Sequence, residues 1–565
     1  MRYNQISLAV MVLGGTILTV ACGGSSSSGV SSEVTVPRIE ALVTQARYQV
    51  ILLDAITGQR ITDSLAVTFT GAAELKAADG TTLNGKTITT NDGLVALGAT
   101  FSATAKDFSV LAGNRALGWV ETGTRVVGDS TVTGDQTLEL KLVNINKAAA
   151  VNASPASVAM AVTTATATTS GALTAPVAIV TMPKTVTNAE GVPETIGTAS
   201  LKLPTGTTGK AADGTVAAAG PIAVSATLYS NATVDAMSAF PGGFAATVTG
   251  APSSALNGAA ANEGAFITGG FAQFNLTDST GKAIKTFDKP VEVGIDLPKT
   301  SLDVDGAALV PGVSQYPIWS FNDSTGEWVF EKQGVVVEKT PIDPNNYTVK
   351  FDTTHLSSWN LDFYVATCTA KINLTGRPAG DTRQLNVEIV GVTGQRFSRT
   401  GQISDSSLNL LRAPRGTKVL VRVMDGALVV GKTSFPVSLC NGSQPNPITV
   451  PVVLKPIDIG TILVETSESC ADGSKKRPVP TFVVAYNGGA YFSSYTQAPD
   501  ASATAARTIF RSVPAAPSYQ VRAYNPRTSR YVLQSIPVTA NNQSTAAFNF
   551  TVPCTSATGA TGAGS

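Results

Sequence analysis

Hydrophobic and polar residues alternate along much of this chain with a period of two. Such alternation is typical of β-strands with one buried face, because successive side chains point to opposite faces of a sheet. The clearest case is 137–143, where the leucines at 138, 140 and 142 share one face and predict a half-buried antiparallel strand. Apolar residues also alternate over 222–228 and 291–297. No helical period of useful length follows the N-terminal segment, so the sequence predicts an all-β protein.

Turn-forming residues interrupt these segments about every ten positions, a spacing typical of β-sandwich domains. The 565 residues exceed what one hydrophobic core accommodates. The stretch at 148–170 is almost entirely Ala, Thr, Ser and Val, which indicates a linker or a loosely paired edge. We therefore predict a β-sandwich at 38–147, an Ala/Thr-rich linker at 148–170, a β-rich domain at 171–366, sandwiches at 367–456 and 457–556, and a disordered tail at 557–565.

The last third of the chain contains an internal repeat. The segment 412–423 is echoed by 511–522, and Pro436-Val437 recurs as Pro537-Val538. The offset is about one hundred residues throughout, the size of one immunoglobulin-like sandwich. The two copies resemble the transthyretin-like, carboxypeptidase-regulatory class of β-sandwich, and 38–147 resembles it more weakly around Trp119. The resemblance implies tandem immunoglobulin-like β-sandwich domains rather than an activity.

The N-terminal segment has the composition of an export signal. Arg2 is followed by an apolar run from Ile6 to Ala21, then by Cys22 and a Gly/Ser-rich stretch. This arrangement resembles the lipobox of bacterial lipoproteins, which implies a signal peptide at 1–21, a diacylglycerol (palmitate-bearing) anchor on Cys22 and a flexible tether at 22–37. Gly23 after the cysteine favours an outer-membrane address, on either face of that membrane. The alternative is an ordinary secretory signal cleaved near Ala21.

Four cysteines follow Cys22, and an even count in an exported chain indicates disulfides. Four cysteines allow three pairings. Each repeat copy has one cysteine near its start and one near its end, so we predict the pairs Cys368–Cys440 and Cys470–Cys554.

Charge and histidine content exclude several classes of function. Lys and Arg total 40 and Asp and Glu total 39, so there is no basic field to attract nucleic acid. His355 is the only histidine, which removes multi-histidine metal sites, and we expect neither a cofactor nor a metal. Asp303 and Asp305 resemble part of a calcium loop, but the downstream acidic ligand is missing, and an ordinary turn is favoured.

One segment carries candidate chemistry. Trp319 and Trp328 precede the sequence His355-Leu356-Ser357. This order resembles the autoproteolytic segment of GAIN domains and the corresponding region of cartilage intermediate layer protein. The resemblance implies that His355 takes the proton of the Ser357 hydroxyl, which attacks the Leu356 carbonyl. The favoured alternative is a hairpin in which His355 packs with the tryptophans, including Trp359, in one core cluster.

A second candidate is a group of aromatic residues in the last domain. Tyr491 and Tyr495 could stack on sugars, although cross-strand packing in a hairpin is the favoured interpretation. We predict a non-enzymatic, lipid-anchored structural or adhesive protein of the bacterial envelope, whose partners are the membrane and a polysaccharide or protein surface. The alternatives are a carbohydrate-binding accessory lipoprotein and a self-cleaving surface protein.

Overall fold

The computed structural model describes residues 44–77, 80–128, 134–378, 381, 383, 385–403, 406–425, 428–441, 444–455, 458–487, 490–500, 502–528 and 530–553. The expected signal peptide, Cys22, the tether, Cys554 and the expected tail lie outside these residues. The described chain is almost entirely β, as the alternating sequence predicts. It forms four β-sandwiches, which we name N-terminal, central, third and C-terminal.

The N-terminal sandwich contains two four-stranded sheets, ordered β3-β5-β1-β8 and β4-β2-β6-β7. Its leucine-patterned strand β8 pairs parallel with β1, so the antiparallel pairing expected for 137–143 is wrong. Alternation of apolar and polar residues requires only that one face of the strand is buried. It does not determine whether the neighbouring strand runs parallel or antiparallel. The elements are β1 Ala46–Asp54, β2 Leu65–Gly71, β3 Glu74–Ala77, β4 Thr87–Thr90, β5 Leu94–Thr100, β6 Asp107–Asn114, β7 Trp119–Val127 and β8 Gly134–Leu142, with 3₁₀ turns at Arg115–Leu117 and Ile145–Lys147.

The central sandwich is larger, and its strands follow one path, β10-β13-β19-β22-β21-β20-β23-β17-β15-β9. Its β-elements are β9 Val158–Ala167, β10 Val177–Val180, β11 Lys184–Thr187, β12 Pro193–Ile196, β13 Ala199–Leu203, β14 Gly209–Lys210, β15 Gly220–Tyr229, β16 Val248–Thr249, β17 Ala265–Thr277, β18 Ala283–Ile284, β19 Thr286–Pro298, β20 Gln315–Asn322, β21 Glu327–Glu338, β22 Asn346–His355 and β23 Ser358–Val365. Three short helices accompany them: α1 Ala148–Ala153, α2 Val234–Ser238 and α3 Ser253–Leu256.

Strand β21 belongs to both layers of the central sandwich. Its first part pairs with β20, and Val336–Glu338 pairs with β22. The path therefore folds into two layers around a shared apolar core. The linker predicted over 148–170 is wrong, since α1 and β9 occupy most of it and β9 pairs with β15 along its whole length. The other possibility given by the sequence, a paired edge strand, is the one observed, because β9 is the last strand in the order and pairs only with β15 among the described strands. Ala, Thr and Val suit such a strand even without aromatic residues.

The third and C-terminal sandwiches follow. The third has β24 Thr367–Thr375, β25 Leu385–Gly391, β26 Ser398–Ile403, β27 Ser407–Pro414, β28 Lys418–Asp425, β29 Leu428–Lys432, β30 Val437–Ser438, β31 Cys440–Asn441, β32 Gln444–Pro445 and β33 Ile448–Pro451. The C-terminal one has β34 Ile459–Cys470, β35 Arg477–Pro478, β36 Phe482–Asn487, β37 Ala490–Tyr495, β38 Ala506–Pro514, β39 Ala516–Asn525, β40 Arg530–Val538 and β41 Gln543–Val552.

Three of the sandwiches share one topology. In each, the first strand lies between an antiparallel and a parallel neighbour, giving the orders β5-β1-β8, β27-β24-β33 and β38-β34-β41. The facing sheets are β4-β2-β6-β7, β26-β25-β28-β29 and β37-β36-β39-β40. The last two also share a bulge with a left-handed residue one hundred positions apart, at Arg412 and Ser512. The repeat seen in the sequence therefore extends to the N-terminal sandwich.

Candidate functional site

The segment containing His355 connects the two layers of the central sandwich. Strand β22 ends at His355 and β23 begins at Ser358, but β21 and β20 lie between them in the strand order. The hairpin expected here is therefore wrong. Because β21 passes from one layer to the other, β22 and β23 lie in different layers, and Leu356 and Ser357 cross between them.

The His355 ring lies between a hydroxyl and a carboxylate. Its Nε2 is 3.2 Å from Glu331 Oε1, and its Nδ1 is 3.4 Å from Thr353 Oγ1. Glu331 also accepts a hydrogen bond from the Ser320 hydroxyl at 2.5 Å. The ring packs on Trp359, with 4.9 Å between centroids. This arrangement holds the imidazole in one orientation and forms an ion pair with Glu331 whenever the imidazole is protonated.

The residues of the expected self-cleavage have other partners. The Ser357 hydroxyl donates to the Phe321 carbonyl at 2.6 Å, and the Leu356 N–H donates to the Lys285 carbonyl at 2.8 Å. The hydroxyl beside the His355 ring is that of Thr353, which also accepts the His355 N–H at 3.2 Å. The structure thus brings His355 together with Thr353 rather than with Ser357. Cleavage at Leu356-Ser357 stays a prediction.

Sequence reasoning missed both polar partners of His355. Thr353 could have been found, because residues two apart on a strand share a face. Glu331 lies on a different strand, and no local pattern connects it with His355.

The four tryptophans do not form one cluster. Trp319 and Trp328 lie in the core that the central sandwich shares with the third, whereas Trp359 lies in the core between the two central layers. The single cluster predicted with His355 is therefore wrong. On neighbouring strands β20 and β23, Trp319 pairs with Asn360 and not with Trp359, so the two indoles project from opposite faces.

Tyr495 is buried and does not offer a sugar-stacking surface. Only 4% of it is exposed, and its ring packs against Phe482 at 5.0 Å. The Arg47 guanidinium of the N-terminal sandwich lies 5.0 Å from the same ring. The ligand-binding role predicted for Tyr495 is therefore wrong, because another part of the chain covers the ring. Tyr491 lies opposite Tyr486 in the β36–β37 pair, and its side chain is outside the described part.

The disulfide Cys368–Cys440 is present, with 6.2 Å between Cα atoms, as the repeat predicts. Cys470 is also disulfide-bonded, and its expected partner Cys554 lies beyond the described part of the chain. Asp303 Oδ1 accepts the N–H groups of Asp305 and Ala307, which is the ordinary turn favoured from the sequence. Among the described residues, no group of three or more His, Cys, Asp or Glu side chains is arranged to hold a metal.

The helices of the described part are all too short or too polar to span a membrane. No protein-family model matches the chain, and no curated protein matches its sequence.

Solved structures resemble it only distantly. They include a leucine-rich repeat protein from Bacteroides thetaiotaomicron (13% identity, 33% of this chain and 26% of that chain, TM-score 0.15). A streptococcal ancillary pilin matches at 11% identity over 42% of this chain and 92% of the pilin, with TM-score 0.15. The major pilin subunit of Bacillus cereus matches at 11% identity over 90% of this chain and 99% of the pilin, with TM-score 0.13. This chain thus spans about a quarter of the length of the leucine-rich repeat protein. Because all three TM-scores are so low, nothing about this chain's function follows from them.

Proposed function

We propose that this chain is a lipid-anchored structural or adhesive protein of the bacterial cell envelope, and that it acts as a compact scaffold without catalysis. The lipid anchor is proposed from the lipobox-like segment that ends at Cys22, and the observation that carries the scaffold role is that the C-terminal sandwich packs back on the N-terminal one. The four sandwiches therefore form one closed body rather than an extended string of domains. A closed body holds its outer surfaces in fixed relative positions, which suits a structural or binding role at a surface.

The contact between the two ends of the chain is both apolar and polar. Ile51 and Leu94 of the N-terminal sandwich pack with Val484 of the C-terminal one. The Tyr531 hydroxyl donates to Gln49 Oε1 at 3.1 Å, across 482 residues of sequence. A sheet face of one sandwich thus covers a sheet face of another with the same topology.

The N-terminal sandwich is also joined to the central one. Arg125 forms ion pairs with Asp107 of its own sandwich and with Glu327 of the central one. Burial alone would lower the pKa of Arg125, but the hydrogen bonds that its guanidinium donates to Asp107 and Glu327 outweigh this effect and raise that pKa. Gln273 Nε2 donates to the Glu121 carbonyl at 3.0 Å. These contacts fix the angle between the two sandwiches, because a charged pair and a hydrogen bond both depend on direction.

The central and third sandwiches share a continuous apolar core. At its edge, the buried Arg396 contacts Glu190 at 3.1 Å and Glu194 at 3.5 Å. Within the described residues, the contacts between the N- and C-terminal, the N-terminal and central, and the central and third sandwiches thus add to the covalent connections.

The lipid anchor is tested by metabolic labelling. Radiolabelled palmitate should enter the wild-type protein and should not enter Cys22→Ser, while the mature wild-type chain should begin at Cys22. Gly23→Ala is a matched control that keeps the thiol and should still be labelled. A mature N-terminus elsewhere, or label in Cys22→Ser, would contradict the anchor.

The closed body is tested by small-angle scattering of the Cys22→Ser protein, which removes the lipid and leaves all four sandwiches. The measured radius of gyration should match the closed arrangement. A pair-distance distribution typical of four separate domains joined by flexible connections would refute the scaffold role. That result would not bear on the proposed lipid anchor, which is tested separately.

A further inference from the structure

The three sandwiches of shared topology differ at one place on their outer surfaces. In the N-terminal sandwich, Ile51 and Leu94 lie opposite each other across β1 and β5. Their neighbours Val50 and Leu52 belong to the core inside the sandwich, so Ile51 is on the outer face of the sheet. Ile51 and Leu94 are only 4% and 3% exposed, because Val484 of the C-terminal sandwich packs on them. An apolar pair at this place thus belongs to a sheet face that another sandwich covers.

The same strand pair has opposite characters in the other two sandwiches. In the third sandwich, Lys371 and Asn409 lie opposite each other across β24 and β27, and both are exposed. In the C-terminal sandwich, the residues that face each other across β34 and β38 are Leu463 and Ile509. Ile509 lies one hundred residues after Asn409, which is the offset of the repeat. Ile509 is 42% exposed and Leu463 is half-buried, so this apolar pair resembles the covered one but faces outward.

The outer face of β38-β34-β41, which we name the receiving face, is suited to packing against another sheet. On β41, the small residues Thr545 and Ala547 are exposed and lie beside Leu463 and Glu465. Small side chains around a central apolar pair leave a flat surface, which a second sheet can approach closely. The ion pair between Arg507 and Glu465, at 2.7 Å, lies next to the apolar pair on this face.

The surface that covers the N-terminal sandwich also has a counterpart elsewhere in the chain. In the C-terminal sandwich, Tyr524 and Tyr531 lie opposite each other across β39 and β40 and pack in the clusters that join this sandwich to the N-terminal one. In the third sandwich, Met424 and Val429 lie opposite each other across β28 and β29. Met424 is one hundred residues before Tyr524, and Val429 is 44% exposed. We name the outer face of β26-β25-β28-β29 the covering face.

The charges of the two faces are compatible with a contact between them. The covering face carries the ion pair Arg422–Glu388, at 3.3 Å, and the receiving face carries Arg507–Glu465. Each face thus offers one cation and one anion to the other. Glu388 takes the place that Val484 has in the C-terminal sandwich, since both lie opposite arginines that are one hundred residues apart. The contact is therefore less apolar than the one inside the chain, and we expect it to be reversible.

We propose that the receiving face binds a second copy of this chain, through the covering face of that copy's third sandwich. The contact repeats between copies the sheet-on-sheet packing that joins the two ends of each chain. The inference rests on the closed body of the proposed function for this mode of docking. Because the two faces are different surfaces of one chain, association continues head to tail and does not end at a two-fold dimer.

Sedimentation velocity of the full chain carrying Cys22→Ser tests the contact. The parent should form dimers and then larger species as its concentration rises. Ile509→Lys on the receiving face and Val429→Lys on the covering face should each weaken association at least about tenfold, because the new lysine would be buried against apolar side chains. Asn409→Lys is the matched control: it changes the exposed equivalent of Ile509 in the third sandwich and should associate as the parent does.

Mixing the two variants tests the pairing of the faces. Ile509→Lys keeps the covering face and Val429→Lys keeps the receiving face, so an equimolar mixture should form dimers and nothing larger. A parent that stays monomeric at every concentration would overturn the proposal. So would association that only one of the two substitutions weakens, since one face would then contact itself or another surface. The radius of gyration of monomeric Ile509→Lys tests the closed body separately, which distinguishes failure of the contact from failure of the proposed function.

Discussion

Arg396 offers the sharpest test of how the central and third sandwiches are held together. Its side chain is buried, and its Nη2 contacts Glu190, Glu194 and the Thr393 hydroxyl, the last at 2.6 Å. Its Nη1 donates to the Gly391 carbonyl at 3.2 Å. Arg396→Met keeps the length and apolar volume of the side chain but removes the charge. The carboxylates of Glu190 and Glu194 then lie at the interface between the central and third sandwiches without the positive charge of Arg396.

The expected loss follows from the environment of the two carboxylates. Removing one partner of a fully buried ion pair costs about 3–5 kcal/mol. The side chains of Glu190 and Glu194 keep 23% and 13% exposure, so solvent screens part of the uncompensated charge. We therefore expect Arg396→Met to lower the free energy of unfolding by about 2–3 kcal/mol at pH 7.

The loss should depend on pH with a definite sign. Burial alone would raise the pKa of Glu190, but the Thr393 hydrogen bond and the Arg396 charge outweigh it and hold that pKa below 4.5. A carboxylate with a lowered pKa stabilises the folded state above its unfolded pKa, and this contribution is lost as pH falls through the folded value. The difference between wild type and Arg396→Met should therefore be largest near neutrality and shrink below about pH 4.

Urea unfolding followed by tryptophan fluorescence measures the effect, since three of the four tryptophans lie in the central sandwich. Lys202→Met is the matched control, because the Lys202–Glu292 pair is exposed and should contribute less than about 1 kcal/mol. A loss below about 0.5 kcal/mol for Arg396→Met, or a loss equal at pH 3 and pH 7, would refute the reasoning.

Three further predictions concern the disulfides, the peptide bond at 356–357 and the closure of the chain. Non-reducing peptide mapping should find Cys470 linked to Cys554, and breaking that link should cost about 2–4 kcal/mol; any other partner for Cys470 would contradict the pairing. Because the Ser357 hydroxyl donates to a carbonyl, boiled wild-type protein should run as one band. Two fragments divided at 356–357, absent in Ser357→Ala, would instead show self-cleavage. Tyr495→Ala should open the contact between the two ends and raise the radius of gyration in small-angle scattering, whereas an unchanged radius would contradict the closure.

The hydrophobic periodicity and the turn residues predicted the all-β fold class correctly, because both depend only on residues that are neighbours in sequence. Alternation over 222–228 and 291–297 predicted strands that the structure contains as β15 and β19, since a period of two places every second side chain in a core. The cysteine spacing predicted Cys368–Cys440, because each repeat copy closes on itself. The sequence showed two copies clearly and indicated the N-terminal one only weakly, around Trp119, and the shared strand order established that third copy.

The candidate site was predicted much less well, because its contacts join strands that are distant in sequence. The motif His355-Leu356-Ser357 gave no indication that its two ends lie in different layers, or that Glu331 would contact His355. The local sequence around Tyr495 likewise says nothing about Arg47, which covers it.

By itself, the sequence determined that the chain is all-β, that it is divided into sandwiches and that at least two of them are copies, because hydrophobic periodicity and turn residues act locally. Only the tertiary structure decided that β8 runs parallel to β1, that Trp319 and Trp359 lie in different cores and that the last sandwich closes on the first. The physical reason is that strand direction, choice of face and contact between sandwiches depend on which distant surfaces bury each other.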